Sequence, residues 1–239
     1  MRWPLVSRGY DAALVLFLAL VAHSVVFAGQ PCPPKPVSPV VLKSGVLKIT
    51  PAAEDVTLID VFMQDGQLVV YYGADTYSFN ACKVCSVRVD ASKTVAGAEV
   101  NVVNETAKAL VYLGGAGSAG IQLADGDADL FGGVGDLSAT LGDGKVYVEC
   151  GAGTSFVTGG TGLLCLIADD VGSVFLTLDA GGYSLVETGS GDAFVTATAG
   201  EGVIFVEDPT HAFLDLTSDY CVENRGIPCW LVFLFLICW

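Results

Sequence analysis

Three carboxylates alternate with small residues in Asp125-Gly-Asp127-Ala-Asp129, and Asp136 and Asp143 follow closely. Alternate side chains of an extended strand share one face, and hard oxygen ligands gathered there suit Ca²⁺. The segment lacks the glycine and terminal glutamate of an EF-hand loop, so a solvated acidic turn is the other reading. Calcium is the one cofactor these residues suggest. Asp169-Asp170 sets two carboxylates side by side, the functional groups of glycoside hydrolysis. Anionic glycans would also call for basic side chains, and none lies within twenty residues of that pair. An exposed acidic turn is the more ordinary reading, and no catalytic residue is assigned.

The other reactive groups are sparse. Beyond the N-terminal region His211 is the only histidine, which excludes a multi-histidine metal site and leaves any Ser-His-Asp triad resting on one residue. Its place just before Phe213 fits a solvent-facing turn. Asn104-Glu-Thr is a single N-glycosylation sequon. Cys82-Lys-Val-Cys85 has the spacing of a redox pair without the βαβ context thiol chemistry needs, so a crosslink is the better expectation. The chain has 8 cysteines. In an exported protein an even count reads as disulfides, here expected among Cys82, Cys85, Cys150, Cys165, Cys221 and Cys229. The pairing stays open, with Cys221 and Cys229 the nearest candidates.

Composition limits what these groups can serve. The 239 residues are 52% hydrophobic and 15% charged, with net charge −15. That hydrophobicity excludes intrinsic disorder, and the length allows a sizeable core. No Lys or Arg occurs between Val146 and Asn224, a stretch with twelve acids, which excludes a nucleic-acid partner.

The two ends differ from the middle. Arg2 and Arg8 precede an apolar run over 12–22, and Val26-Phe-Ala-Gly29 follows. A basic start, a short apolar stretch and small residues at a cleavage point predict a signal peptide over 1–29 and a secreted or cell-surface protein. A Pro-rich segment, 30–45, comes next. At the other end 217–239 forms a Cys-containing apolar tail, whose last ten residues, WLVFLFLICW, carry no charge. As a helix they cover about 15 Å, half a bilayer, so a membrane partner enters only if the tail is an anchor or an anchor signal. Docking on the end of the fold or on a neighbouring chain is the expectation favoured here.

Between the ends the chain repeats. From Gly114 it divides into nine-residue units: GGAGSAGIQ, LADGDADLF, GGVGDLSAT, LGDGKVYVE, CGAGTSFVT, GGTGLLCLI, and later DAGGYSLVE, TGSGDAFVT and ATAGEGVIF. Glycine holds the fourth place and a small or aliphatic residue the eighth, which predicts tight turns alternating with short inward-facing strands. Phe156, Phe175, Phe194 and Phe213 then recur every 19 residues, with Thr158, Thr177 and Thr196 two places on. Two strand types alternating within 19 residues predict an all-β parallel solenoid, a β-roll or β-helix with one two-strand coil per repeat, over 46–216. An antiparallel sandwich or meander is the alternative, but it gives no reason for glycine to return at a fixed register.

The nonapeptides resemble the repeats-in-toxin calcium β-roll, G-G-x-G-x-D-x-U-x. Gly132-Gly-Val-Gly135-Asp136 and Gly159-Gly-Thr-Gly162 match its first half. The resemblance implies β-roll geometry. It does not carry repeat calcium binding, because the sixth-place aspartate is replaced by Ala119, Ala128, Leu137, Val146, Ser155, Leu164, Ser184, Ala193 and Gly202.

The Phe column is the most informative feature. With the eighth-place aliphatics inward, strand alternation turns the rings and threonines outward, as a stripe for sugars, ice-like water or a second copy. The aggregation hazard of four exposed rings in line argues for an inward stack instead. The expected function is a structural or adhesive solenoid of the cell surface or extracellular matrix, partnered by itself or by glycans. A polysaccharide-binding or polysaccharide-degrading β-helix is the alternative, and an ice- or mineral-binding surface the third.

Overall fold

The computed structural model describes residues 38–51, 58–105, 109–168, 172–217 and 219–223. All of them but Ser38 fall in one compact unit, Pro39–Trp239. The expected signal peptide over 1–29, Asp169-Asp170, Cys229 and the apolar stretch from 224 onward lie outside the described residues.

Twenty strands are described. The N-terminal ones are β1 (Val40–Lys43), β2 (Val46–Ile49), β3 (Leu58–Gln64), β4 (Gln67–Tyr72) and β5 (Asp75–Asn80). Then come β6 (Ser86–Asp90), β7 (Glu99–Asn104), β8 (Ala109–Leu113), β9 (Ser118–Leu123), β10 (Ala128–Phe131), β11 (Leu137–Thr140) and β12 (Lys145–Glu149). The series closes with β13 (Ser155–Gly159), β14 (Leu163–Ala168), β15 (Val174–Leu178), β16 (Tyr183–Thr188), β17 (Ala193–Ala197), β18 (Glu201–Val206), β19 (Ala212–Leu216) and β20 (Asp219–Glu223).

From β6 onward each strand lies in the opposite sheet from its predecessor, so two parallel sheets grow coil by coil. Sheet A runs β1-β2-β6-β8-β10-β12-β14-β16-β18-β20, and sheet B runs β19-β17-β15-β13-β11-β9-β7-β3-β4-β5. Leu110 pairs with Ala128, Ala128 with Val146 and Val146 with Leu164, a coil of two nonapeptides. In sheet B the step lengthens at Val174, which pairs with Ser155 and then with Ala193, giving the 19-residue period of the Phe column. The parallel β-solenoid is thus the fold.

The eighth-place residues line the core between the sheets. Ile121, Leu130, Val148, Val157, Leu166, Val186, Val195 and Ile204 are all buried. Gly126 and Gly200 turn the chain at positive φ, but other fourth-place glycines are required for a different reason. A Cβ on Gly144 would lie 2.0 Å from the Gly126 carbonyl oxygen, one on Gly162 2.0 Å from that of Gly144, and one on Gly153 2.3 Å from that of Gly135. Each therefore sits against its equivalent one coil earlier, at a distance that admits no side chain. Close approach, more than backbone handedness, fixes the residue type there.

The ends depart from the expected 46–216 boundaries. The first two strands form a hairpin through Ser44-Gly45, and β3 and β4 form another through Asp65-Gly66. All four turn residues have positive φ, between 49° and 79°, as two-residue turns matching the strand twist require. β5 adds antiparallel to β4 and presents a mostly exposed, polar edge. The coil start is therefore closed by antiparallel strands, and residues 68–72 are a hairpin arm. Val40–Lys43 belongs to the fold although it lies in the Pro-rich segment, and so does Asp219–Glu223, which lies in the tail. Among the described residues no helix is long and apolar enough to cross a membrane.

Candidate functional site

The outer face of sheet B carries the feature most unlike an ordinary solenoid surface. The register pairs Phe156 with Phe175, Phe175 with Phe194 and Phe194 with Phe213. Their flanking residues Val157, Leu176 and Val195 point into the core, so alternation sends the rings outward. Phe156, Phe175 and Phe213 are 49%, 38% and 53% exposed. The inward stack expected from the aggregation hazard is corrected: with Val, Leu and Val already in the core register, no strand could also bury its Phe there.

The rings are parallel. Centroids lie 5.0, 4.8 and 4.8 Å apart along the column, with 12°, 5° and 8° between planes. This equals the interstrand spacing, so parallel in-register pairing alone sets each ring on the next. The ring faces are consumed by one another and the column shows solvent its edges. Beside it runs a threonine ladder, in which Thr158 pairs with Thr177 and Thr177 with Thr196. The ladder begins one coil earlier than the Phe-x-Thr motif shows, at Thr140, which pairs with Thr158, while Ser138 precedes Phe156 in the ring column. Both are the seventh and ninth places of GGVGDLSAT, so the repeat could have located them. Asp215 ends the threonine row beside Thr196. A shallow groove of about 500 Å³ opens there, lined by Phe194, Thr196, Phe213 and Asp215.

The acidic turns bond from coil to coil. The Lys145 N–H donates to Asp127 Oδ1 and the Thr154 N–H to Asp136 Oδ1, both at 2.9 Å. The Thr161 hydroxyl donates to Asp143. Each partner lies one coil on, so these carboxylates satisfy turn groups that the strand ladders leave over. Asp125 and Asp127 lie in an exposed turn and Asp129 points outward from β10. Among the described residues no three His, Cys, Asp or Glu side chains are grouped to hold a metal ion, so the expected calcium ligands are not brought together.

The same ladder logic joins His211 Nδ1 to Asp192 Oδ1 at 2.8 Å, next to the open end of the ring column. The hydrogen bond to Asp192 raises the His211 pKa above its ordinary value. In the same turn as His211, Asp208 is held below the usual carboxylate range, first by the Thr210 hydroxyl and then by the Thr210 N–H.

Two further expectations change. Cys82, Cys85, Cys150, Cys165 and Cys221 all carry free thiols, so the crosslinks expected among them are not borne out. Cys150 lies in the core, where burial pushes its thiol up to about 11, whereas Cys165 points to the outer face of sheet A. Cys82 sits in a one-turn 3-10 helix at the coil start, its N–H held by Asn80, while Cys85 rests against Gly45. Asn104 is buried at 5% exposure because β7 alternation puts it in the inward register with Val100 and Val102. A glycan needs an accessible amide nitrogen, and this position does not offer one.

Comparison of the chain with protein-family models, curated proteins and solved structures finds no match. The fold and this face therefore define the class by themselves: a parallel two-sheet β-solenoid with an outward ladder of stacked phenylalanines.

Proposed function

We propose that the chain is a secreted structural or adhesive β-solenoid of the cell surface or extracellular matrix that associates with further copies of itself through the Phe and Thr columns of sheet B. The observation that carries this reading is the exposed, parallel ring column. Its outward positions on β13, β15 and β17 (Phe156, Thr158, Phe175, Thr177, Phe194 and Thr196) bear no charge in a chain of net charge −15. A flat, uncharged stripe with an apolar edge is the part of such a surface that two like-charged copies can bring together at least electrostatic cost. Export rests on the basic and apolar start of the sequence.

Ring geometry favours self-association over glycan binding. Sugars stack on aromatic faces, and here each interior face is already covered by the neighbouring ring. Only the terminal rings keep a free face.

Sedimentation velocity and electron microscopy at rising concentration test the reading, with Thr177→Lys as the variant. Thr177 is exposed, so lysine there leaves the core intact and places a charge in the middle of the face. Association by the parent and its loss in Thr177→Lys are expected. A parent that stays monomeric throughout, or a Thr177→Lys protein that assembles like the parent, overturns it. Binding to a neutral glycan array that is lost in Phe213→Ala would transfer the function to the glycan reading.

A further inference from the structure

The outer face of sheet A is closed in the middle of one column and open towards both ends: Val203 is half-buried and Cys221 exposed at the far end, as Tyr147 and Asp129 are at the near one. Register pairing runs a single outward column through Asp129, Tyr147, Cys165, Leu185, Val203 and Cys221. Asp129 is exposed and Tyr147 half-buried, yet Cys165 and Leu185 are both 0% exposed. In the adjacent outward column Ile167 is 7% and Phe205 5% exposed, with the half-buried Glu187 between them. The matching outward positions of sheet B are open, so facing away from the core does not by itself bury a residue. The described apolar neighbours of Cys165, Ile167 and Leu185 are Tyr147 and Val203, which stand on the same face and cannot roof it.

We infer that this patch is the docking site of the chain's own apolar tail, residues 230–239. Three observations single out that segment. The last strand of sheet A, β20, ends at Glu223 beside β18, so the chain leaves the fold at the edge of the patch. From β20 to β14 is three strand steps, about 14 Å, and ten residues span about 15 Å even as a helix, with 224–229 free to turn back. The tail WLVFLFLICW is uncharged and apolar, the complement of a patch in which Cys165, Ile167, Leu185, Val203 and Phe205 surround a single acidic residue, Glu187. The N-terminal apolar run is the competing occupant, and it joins sheet A at β1, six strand steps or about 29 Å from β14.

The site gives the tail a role within the fold: it closes an apolar sheet face that would otherwise offer a second surface for aggregation. This inference concerns sheet A and does not depend on the sheet B reading.

A photoreactive benzophenone amino acid placed at Tyr147, the half-buried border of the patch, tests it in the full chain. Irradiation followed by peptide mass spectrometry is expected to yield intrachain crosslinks to 230–239. Crosslinks to 1–37, crosslinks to a second copy, or none at all overturn it. Thiol labelling gives an independent reading. In the native parent Cys165 and the core residue Cys150 both resist a maleimide, and Phe233→Asp with Phe235→Asp raises the labelling rate of Cys165 about ten-fold or more while Cys150 stays protected. Rapid labelling of Cys165 in the parent, or an unchanged rate in the variant, contradicts the assignment.

Discussion

Phe175 and Phe194 stack with their centroids 4.8 Å apart and 5° between their planes, one strand step along sheet B. The pair shows how a solenoid turns a sequence period into a surface. In-register parallel pairing repeats any outward residue at the strand spacing, so a Phe every 19 residues becomes a continuous column. Nothing further is needed to align the rings.

Ring position in the column sets its energetic weight. Phe194 has a stacked neighbour on each side and Phe213 on one. At about 0.5–1.5 kcal/mol per aromatic pair, Phe194→Ala is expected to cost about 1–3 kcal/mol and Phe213→Ala about half as much. Chemical denaturation of the two variants measures the ratio. Equal losses would mean that the rings stabilise through area alone.

The glycine ladder makes a sharper prediction. Gly144→Ala drives a methyl into the Gly126 carbonyl, a backbone atom held between neighbouring coils, so a loss of about 3 kcal/mol or more is expected. Gly66→Ala is the contrast: it meets nothing within 4 Å but sits at φ 74°, and about 1–2 kcal/mol covers the handedness penalty. Thermal or denaturant unfolding of both separates steric from conformational cost.

Asp127 is expected to matter as an acceptor. Asp127→Ala leaves the Lys145 N–H to solvent and costs about 0.5–1.5 kcal/mol, while Asp127→Asn keeps an acceptor oxygen and costs less. Melting curves in Ca²⁺ and in chelator are expected to coincide. A rise in Tm with Ca²⁺ that Asp127→Asn removes would restore the metal reading.

The His211–Asp192 pair gives a pH dependence with a definite sign. Because pairing raises the folded-state pKa of His211 above the ordinary 6.5, its contribution is fully present below that value and is lost as pH rises through the raised pKa. NMR titration of the ring is expected to give a midpoint above 6.5 that falls back in Asp192→Asn. Both groups are about half exposed, so salt should weaken the effect.

Much of the architecture was legible in the residues because a solenoid is built from local period. The eighth-place aliphatics, the 18- to 19-residue coil and the alternation of two strand types each follow from spacing, and the nonapeptide from Leu141 to Glu149 already contains its turn, its fourth-place Gly144 and its inward Val148. The hairpin at Asp65-Gly66 escaped the solenoid reading over 46–216, although Asp-Gly between apolar runs is the turn of a two-residue hairpin.

The candidate face was only partly legible. Strand alternation around Val157 already turned Phe156 outward, and a general argument about aggregation pulled the other way; the local rule won because the core register had room for one set of side chains. What the sequence by itself determined is thus the coil: which residues repeat, which point inward, and which columns must form. Tertiary structure alone decided which atoms meet between coils. Asp127 finds the Lys145 N–H eighteen residues on, Gly144 meets the Gly126 carbonyl, and Leu185 vanishes from an outward face. Those contacts depend on the height and offset of neighbouring coils, which stacking of the whole chain sets and no single repeat contains.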